Sequence, residues 1–197
     1  MAARPQLVTA LQEALAVYDV PTGEHSRRVG RLARAVGVVF GLREVELESL
    51  ACAGTLHDLG KLGVTERTLA KPGPLDPEEW QEIRRHPQIG AELVRSCSPS
   101  FGAAYCAALE HVATGIETHH ERVDGSGYPS GCAGEEIPLI GRILAPVDVF
   151  DSMTQDRGYR PRTFTVKEAL AHLLEEAGRL FDPDVVGAVL EVVGRPA

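Results

Sequence analysis

The chain has little of what would send it to a membrane, a nucleic acid or an oxidising compartment. Its four cysteines, at 52, 97, 106 and 132, form no CxxC pair, so neither a zinc knuckle nor a redox couple is supported. Scattered reduced thiols in a cytosolic protein are the better reading. Apolar runs such as AVGVVFGL at 35–42 stop far short of the roughly 20 residues of a membrane span. The first residues do not read as a signal peptide, and the expected location is the cytoplasm. Lys and Arg number 20 against 28 Asp and Glu, and the net charge of −8 argues against DNA, RNA or an anionic membrane as partner. A small anionic ligand stays compatible if a local cation cluster or a metal overcomes that field. Convincing strand alternation and internal repeats are missing as well. The 44% hydrophobic share is enough for one sizeable core, and 197 residues at roughly 150 per domain give a single domain.

What is present is helical periodicity. Residues 6–18 place Leu7, Leu11, Ala14, Leu15 and Tyr18 on one face, after Pro5. Residues 25–40 continue with Val29, Leu32, Ala33, Val36 and Phe40, and Gly41 is a plausible stop. A third helix over 44–59 leads into His57–Asp58. Residues 76–86 open on Asp-Pro-Glu-Glu, an N-cap followed by proline and first-turn acids. Further helices are expected at 87–96, 102–119, 138–153, 165–178 and 182–193, separated chiefly by Gly/Pro-rich loops at 71–77 and 124–138. The expected class is all-α, with eight or nine helices.

Five of the seven histidines fall at informative places: His25, His57, His86, His119 and His120. Singly, each reads better as a surface or satisfied core residue than as a ligand. Their grouping changes that. His57–Asp58 and His119–His120 both stand at predicted helix ends, ahead of glycine-bearing loops. Neighbours within a helix diverge by about 100°, but at a fraying end both side chains can converge. His86 precedes Pro87, which biases its backbone away from the helical region and lets its ring point into a cleft. Asp148 lies in the apolar stretch ILAPVDVFDSM, where an unpaired carboxylate is costly and a nearby cation removes the cost. Imidazoles and carboxylates without thiolates suit Fe, Mn, Ni or Zn. One shared carboxylate would hold two ions roughly 3.5–4 Å apart, as in two-metal phosphoester hydrolases, and that role is open to Asp58.

These residues sit in motifs that resemble the HD-GYP family, a branch of the HD phosphohydrolases. The matching pieces are HSRRV at 25–29, HDLGK at 57–61, HPQIG at 86–90, HHERVDGSGYP at 119–129, GEEIP at 134–138 and DVFDSMTQDRGYR at 148–160. FDP at 181–183 is a weaker match. The resemblance implies an N-terminal helix, 1–18, packed on a catalytic domain, 19–197, with a metal centre in the bundle core. It implies a cyclic di-GMP phosphodiesterase giving pGpG, with the further step to GMP left open. The implied ligands are His25, His57, Asp58, His86, His119, His120 and Asp148, binding two divalent ions, iron foremost, with Mn, Ni or Zn as substitutes. Asp58 and Lys61 would be catalytic, Lys61 at the scissile phosphate. Arg157 and Arg160 would hold phosphate or guanine. Gly127, Tyr128 and Pro129 are the signature loop, read as a shaping element or as the surface for a regulatory or diguanylate cyclase-type protein. Asp151 either orients a ligand histidine or is an ordinary solvated acid.

The chemistry of the residues agrees with the resemblance. Hydrolysis adds charge to an already anionic phosphodiester, and metal ions with Lys61 and the arginines would supply a positive field. A metal can lower the pKa of water from about 15.7 to about 7. Three departures stand out. Pro21 occupies the place of a glutamate that helps some members hold a third ion, so two ions are expected. RGYR at 157–160 replaces RPYR, and Val123 follows HHER where an aromatic or other residue is common. Only about 18 residues precede the match, so control is expected from a partner, from oligomerisation (a homodimer is compatible) or from metal and redox state. Two other readings remain open: a hydrolase of another cyclic dinucleotide or nucleotide, and a non-catalytic cyclic di-GMP sensor.

Overall fold

Apolar residues at helical spacing produce ten helical segments in the computed structural model, which describes residues 3–18, 20–97, 103–155 and 163–194. In chain order they are α1 (Ala3–Tyr18), α2 (Val20–Val39), α3 (Glu44–Leu56), α4 (Glu66–Leu69) and α5 (Pro77–Arg84). Then follow α6 (His86–Ser96), α7 (Ala103–Thr118), α8 (Leu139–Thr154), α9 (Val166–Glu175) and α10 (Pro183–Gly194). Short 3₁₀ turns span Leu59–Gly63 and Gly134–Glu136. Among the described residues there is no strand, only an isolated bridge between Ala177 and Phe181, and the fold is all-α. No described helix is long and apolar enough to cross a membrane.

Local chemistry sets the helix ends. The Asp76 carboxylate accepts from the backbone N–H of Glu78 and Glu79, an N-cap where the sequence predicts one, and Glu79 reaches back to the Asp76 N–H, closing a capping box. Thr165 caps α9 in the same way with Glu168. Elsewhere the boundaries shift for identifiable reasons. Helix α2 starts at Val20 rather than 25, because Pro21 falls in the first turn, where no intrahelical N–H is needed. Helix α3 stops at Leu56, short of 59, and the chain tightens into the first 3₁₀ turn. His86 opens α6 instead of preceding it, since Pro87 is also tolerated in a first turn. The single-turn α4 is too short to show a period.

Helices α2, α3, α7 and α8 form the centre of the bundle: α2 packs along α3 and α8, and α7 on α3, α6 and α8. Their shared core includes Val29, Ala33, Leu50, Ala53, Ile116, Ile143 and Leu144. Helix α1 lies on α2 and α3, and α9 and α10 cover α8. The first 3₁₀ turn is laid directly on the start of α6. A Cβ built on Gly60 would stand 1.9 Å from the His86 carbonyl oxygen and 2.6 Å from the Gly90 nitrogen. Both are backbone atoms that cannot rotate aside. Gly60→Ala is therefore expected to lower stability by about 1–3 kcal/mol, as other overpacking changes do. At roughly 2–4 °C per kcal/mol this is a drop in Tm of several degrees, measurable by scanning calorimetry. An unchanged melting curve would show that the turn moves off α6 at no cost.

Candidate metal centre

Three histidines are set by one local device. His57 follows α3, His86 comes two residues after α5, and His119 follows α7. Each Nδ1 faces the carbonyl oxygen three residues earlier: Gly54 at 2.8 Å, Ile83 at 2.7 Å and Ile116 at 2.6 Å. A carbonyl only accepts, so Nδ1 carries the proton, and the ring also satisfies one of the orphan carbonyls of its helix end. Nε2 is then left as a lone pair aimed inward. Burial favours the neutral form of all three rings, bringing His86 down to about 4 and His57 and His119 also below the usual range.

These inward nitrogens meet one another. Nε2 of His86 lies 3.3 Å from Nε2 of His119, and Nε2 of His57 lies 3.3 Å from Nε2 of His25. His86 and His119, both neutral and both protonated on Nδ1, have no proton to share across their contact. The carboxylates sharpen the conflict. Asp58, 3% exposed, places Oδ2 3.4 Å from His57 Nε2 and Oδ1 3.5 Å from His86 Nε2. Asp148 Oδ1 lies 2.9 Å from His25 Nε2 and 3.7 Å from His57 Nε2. Burial alone would raise both acids. For Asp58 the Lys61 ammonium outweighs it, and for Asp148 the His25 hydrogen bond does, so both are held well below the usual range. A buried concentration of acceptors facing acceptors is the chemistry of a cation site.

The donors fall into two groups, each with ligand atoms within 4.8 Å of one another: His25, His57 and Asp58, and His86, His119 and His120. Asp58 has one oxygen toward each group. Asp148 adjoins the first through His25. The seven ligands suggested by the motifs are thus brought together from α2, α3, α6, α7 and α8 and their ends.

Around these lie groups that hold the ligands in place. The buried Asp151 carboxylate accepts from His25 Nδ1 at 2.7 Å, and Arg28 clamps it through Nε at 2.8 Å and Nη2 at 3.0 Å. Such a carboxylate orients the ring and raises its basicity. Asp151→Asn is expected to weaken metal binding by about 10–100-fold. Metal titration by calorimetry checks this, and an unaltered affinity would reduce Asp151 to a partner of Arg28. Lys61 Nζ stands 2.7 Å from Asp58 Oδ2, its side chain 20% exposed.

The Gly127–Tyr128–Pro129 loop folds onto the centre. Gly127 must be glycine: its Cβ would meet the Arg122 nitrogen at 2.4 Å and the His120 carbonyl oxygen at 2.6 Å. The Tyr128 N–H donates to that carbonyl, and the Tyr128 ring lies on the His120 ring with centroids 4.7 Å apart. Burial, with Asp58 and Asp148 nearby, pushes the phenol up, so it stays protonated. Sequence reasoning gave no role to Glu121, which is buried and takes the Ser130 N–H at 2.7 Å, anchoring the far side of the loop. Arg122 lies over the Phe181 ring, and Arg84 over that of Tyr128. These too were missed, since nothing local marks a stacked arginine. His111 and His172 belong to neither group. Arg157 and Arg160 lie outside the described residues.

The chain is also similar to known proteins. A family model described as an HD domain matches residues 9–185. The chain is 38% identical over 185 residues to the cyclic di-GMP phosphodiesterase response regulator RpfG of Xanthomonas campestris, covering 94% of this chain and 47% of that protein. It is 39% identical over 176 residues to a cyclic di-GMP phosphodiesterase of Thermotoga maritima, covering 88% and 45%. A 3′3′-cGAMP-specific phosphodiesterase of Vibrio cholerae is 35% identical over 187 residues, covering 94% and 34%. The chain thus spans half or less of the length of these relatives. In fold it resembles a solved cyclic GMP-AMP-specific phosphodiesterase from V. cholerae, with a TM-score of 0.72 at 24% identity over 96% of this chain and 48% of the other.

Proposed function

The chain belongs to the HD domain family, and from that membership and the paired donor groups we propose that it is a metal-dependent phosphodiesterase hydrolysing cyclic di-GMP. The observation that carries this reading is Asp58, a buried carboxylate with one oxygen turned to each histidine group. His25, His57 and Asp148 would hold one divalent ion and His86, His119 and His120 the other, with Asp58 shared. Two such ions would activate the attacking water and neutralise the phosphate. Iron is the leading candidate among Fe, Mn, Ni and Zn, all of which accept these donors.

The chain's own groups do the rest. Lys61 keeps an ammonium beside Asp58, at the edge where a phosphate oxygen would approach, and so favours the added negative charge of the transition state. Tyr128, protonated, can donate a hydrogen bond but cannot repel an anion. Its ring and the Glu121-anchored loop wall off one side of the centre.

The test is product chromatography after anaerobic incubation with ferrous or manganous ion. Cyclic di-GMP should give linear pGpG first, with GMP following if the product rebinds through its terminal phosphate. Because relatives include 3′3′-cGAMP-specific enzymes, that dinucleotide is assayed in parallel, and faster cleavage of it would move the substrate assignment. Tight binding of cyclic di-GMP without turnover under any candidate metal would establish a sensor instead.

A further inference from the structure

Helix α2 gives His25 to the metal centre and arginines to its opposite side. A helix turns by about 100° per residue, so Arg27 and Arg34, two and nine residues on, stand away from His25. There α1, α2 and α3 enclose an open groove of about 290 Å³. Gln12 of α1, Arg27, Arg31 and Arg34 of α2, and Thr55 of α3 line it. The two longer walls meet at Gly30 and Ala51, where a Cβ on Gly30 would stand 2.7 Å from the Ala51 carbonyl oxygen. Backbone packs on backbone there, so the helix crossing fixes the width of the groove. Arg34 is paired with Glu44 at 2.6 Å. Arg27 and Arg31 are exposed and, among the described residues, form no ion pair. Acids are near in sequence, Glu24 three residues before Arg27 and Glu48 three before Ala51, yet neither pairs with them. Like charges four residues apart on a helix destabilise it. In a chain with 28 acidic against 20 basic residues, two such uncompensated guanidiniums in a concave site point to an anion from outside.

We propose that this groove binds a small phosphomonoester, at a site separate from the metal centre and independent of the phosphodiesterase reading. Arg27 and Arg31 are one turn apart, about 6 Å along the axis, within reach of a single phosphate group. A guanidinium fork pairs with phosphate oxygens at two points. Two guanidiniums call for close to two negative charges. A carboxylate or a phosphodiester brings one. A phosphomonoester, with a second pKa of about 6, brings nearly two at pH 7 on three free oxygens. The Gln12 amide and the Thr55 hydroxyl offer neutral hydrogen bonds to the remainder of the ligand. The volume sits at the lower edge of the roughly 300–1,000 Å³ of small-molecule sites, which suits a phosphate group on a small body.

The experiment titrates the whole, zinc-loaded protein, labelled with nitrogen-15, with inorganic phosphate, GMP and AMP. Phosphate also binds metal ions, so binding is followed by NMR at Gln12 and Arg31, on α1 and on the side of α2 turned from the centre. Their signals should shift and saturate. Arg27→Ala/Arg31→Ala should weaken the binding read at Gln12 by about 10–100-fold, the size of lost hydrogen bonds to a charged group, at unchanged metal content. Both positions are exposed and alanine is the better helix former, so this variant should melt no lower than wild type. Arg27→Lys/Arg31→Lys should recover part of the affinity, returning the charges without the forks. Tighter binding of a nucleotide than of inorganic phosphate identifies a nucleotide as the ligand, and equal binding identifies phosphate itself. If the wild-type Gln12 and Arg31 signals stay still with all three probes, the site is overturned. It is overturned equally if dimethyl phosphate, a monoanion, binds as tightly as inorganic phosphate, or if the alanine variant keeps the wild-type affinity.

Discussion

Asp58→Ala is expected to leave the protein with almost no bound metal and hydrolysis below detection. The carboxylate is buried, with Oδ2 3.4 Å from a nitrogen of one histidine group and Oδ1 3.5 Å from a nitrogen of the other. Without it, the group of His86, His119 and His120 keeps no carboxylate, and the group of His25 and His57 keeps only Asp148. His86→Ala, by contrast, should empty mainly the group it shares with His119 and His120. Elemental analysis of protein purified without chelator makes the measurement. If Asp58→Ala keeps both ions, Asp58 acts at the phosphate and not as the bridge. Metal binding is coupled to folding in many such sites, so the isosteric Asp58→Asn and helical circular dichroism accompany the test.

Lys61→Ala should cost about 10²–10³ in kcat, the loss seen when one preorganised donor to a developing negative charge is removed. KM should move far less, and metal content should stay at the wild-type level. The geometry allows a second explanation, because Nζ is 2.7 Å from Asp58 Oδ2 and Lys61 is the largest influence opposing burial at that carboxyl. If Lys61 served only to keep Asp58 ionised, metal would fall in step with rate. A rate loss at constant metal assigns the ammonium to the phosphate.

Much of this was legible along the chain because it is local. The N-cap at Asp76 needs only its neighbours, His57 and His119 stand at predicted helix ends ahead of glycine-bearing loops, and His86 is marked by Pro87. Their Nδ1 contacts reach back only three residues. What stayed hidden depends on how helices cross. The His25–Asp151 contact joins residues 126 apart, and only its buried geometry separates an orienting acid from a solvated one. Arg84 reaches Tyr128 between elements with no shared pattern, and Glu121 looks like any acid in a loop until the Ser130 N–H is seen on it. The Gly60–His86 backbone contact is likewise invisible in a string of letters.

The three histidines that bond their own helix ends also bear on how such a centre changes over evolutionary time. Each ring travels with the carbonyl that fixes its proton, so a substitution that shifts a helix moves ring, proton and lone pair as one body. Drift in the packing of α3, α5 and α7 therefore alters the spacing between nitrogens without scrambling which nitrogen is offered. Small residues at those crossings, such as Gly115, whose Cβ would come 2.9 Å from Ala53 and Ile140 side chains, set that spacing from outside the ligand set. Since geometry rather than raw affinity separates one first-row ion from another, metal preference in this scaffold is a heritable property of helix packing, free to vary while every ligand stays the same.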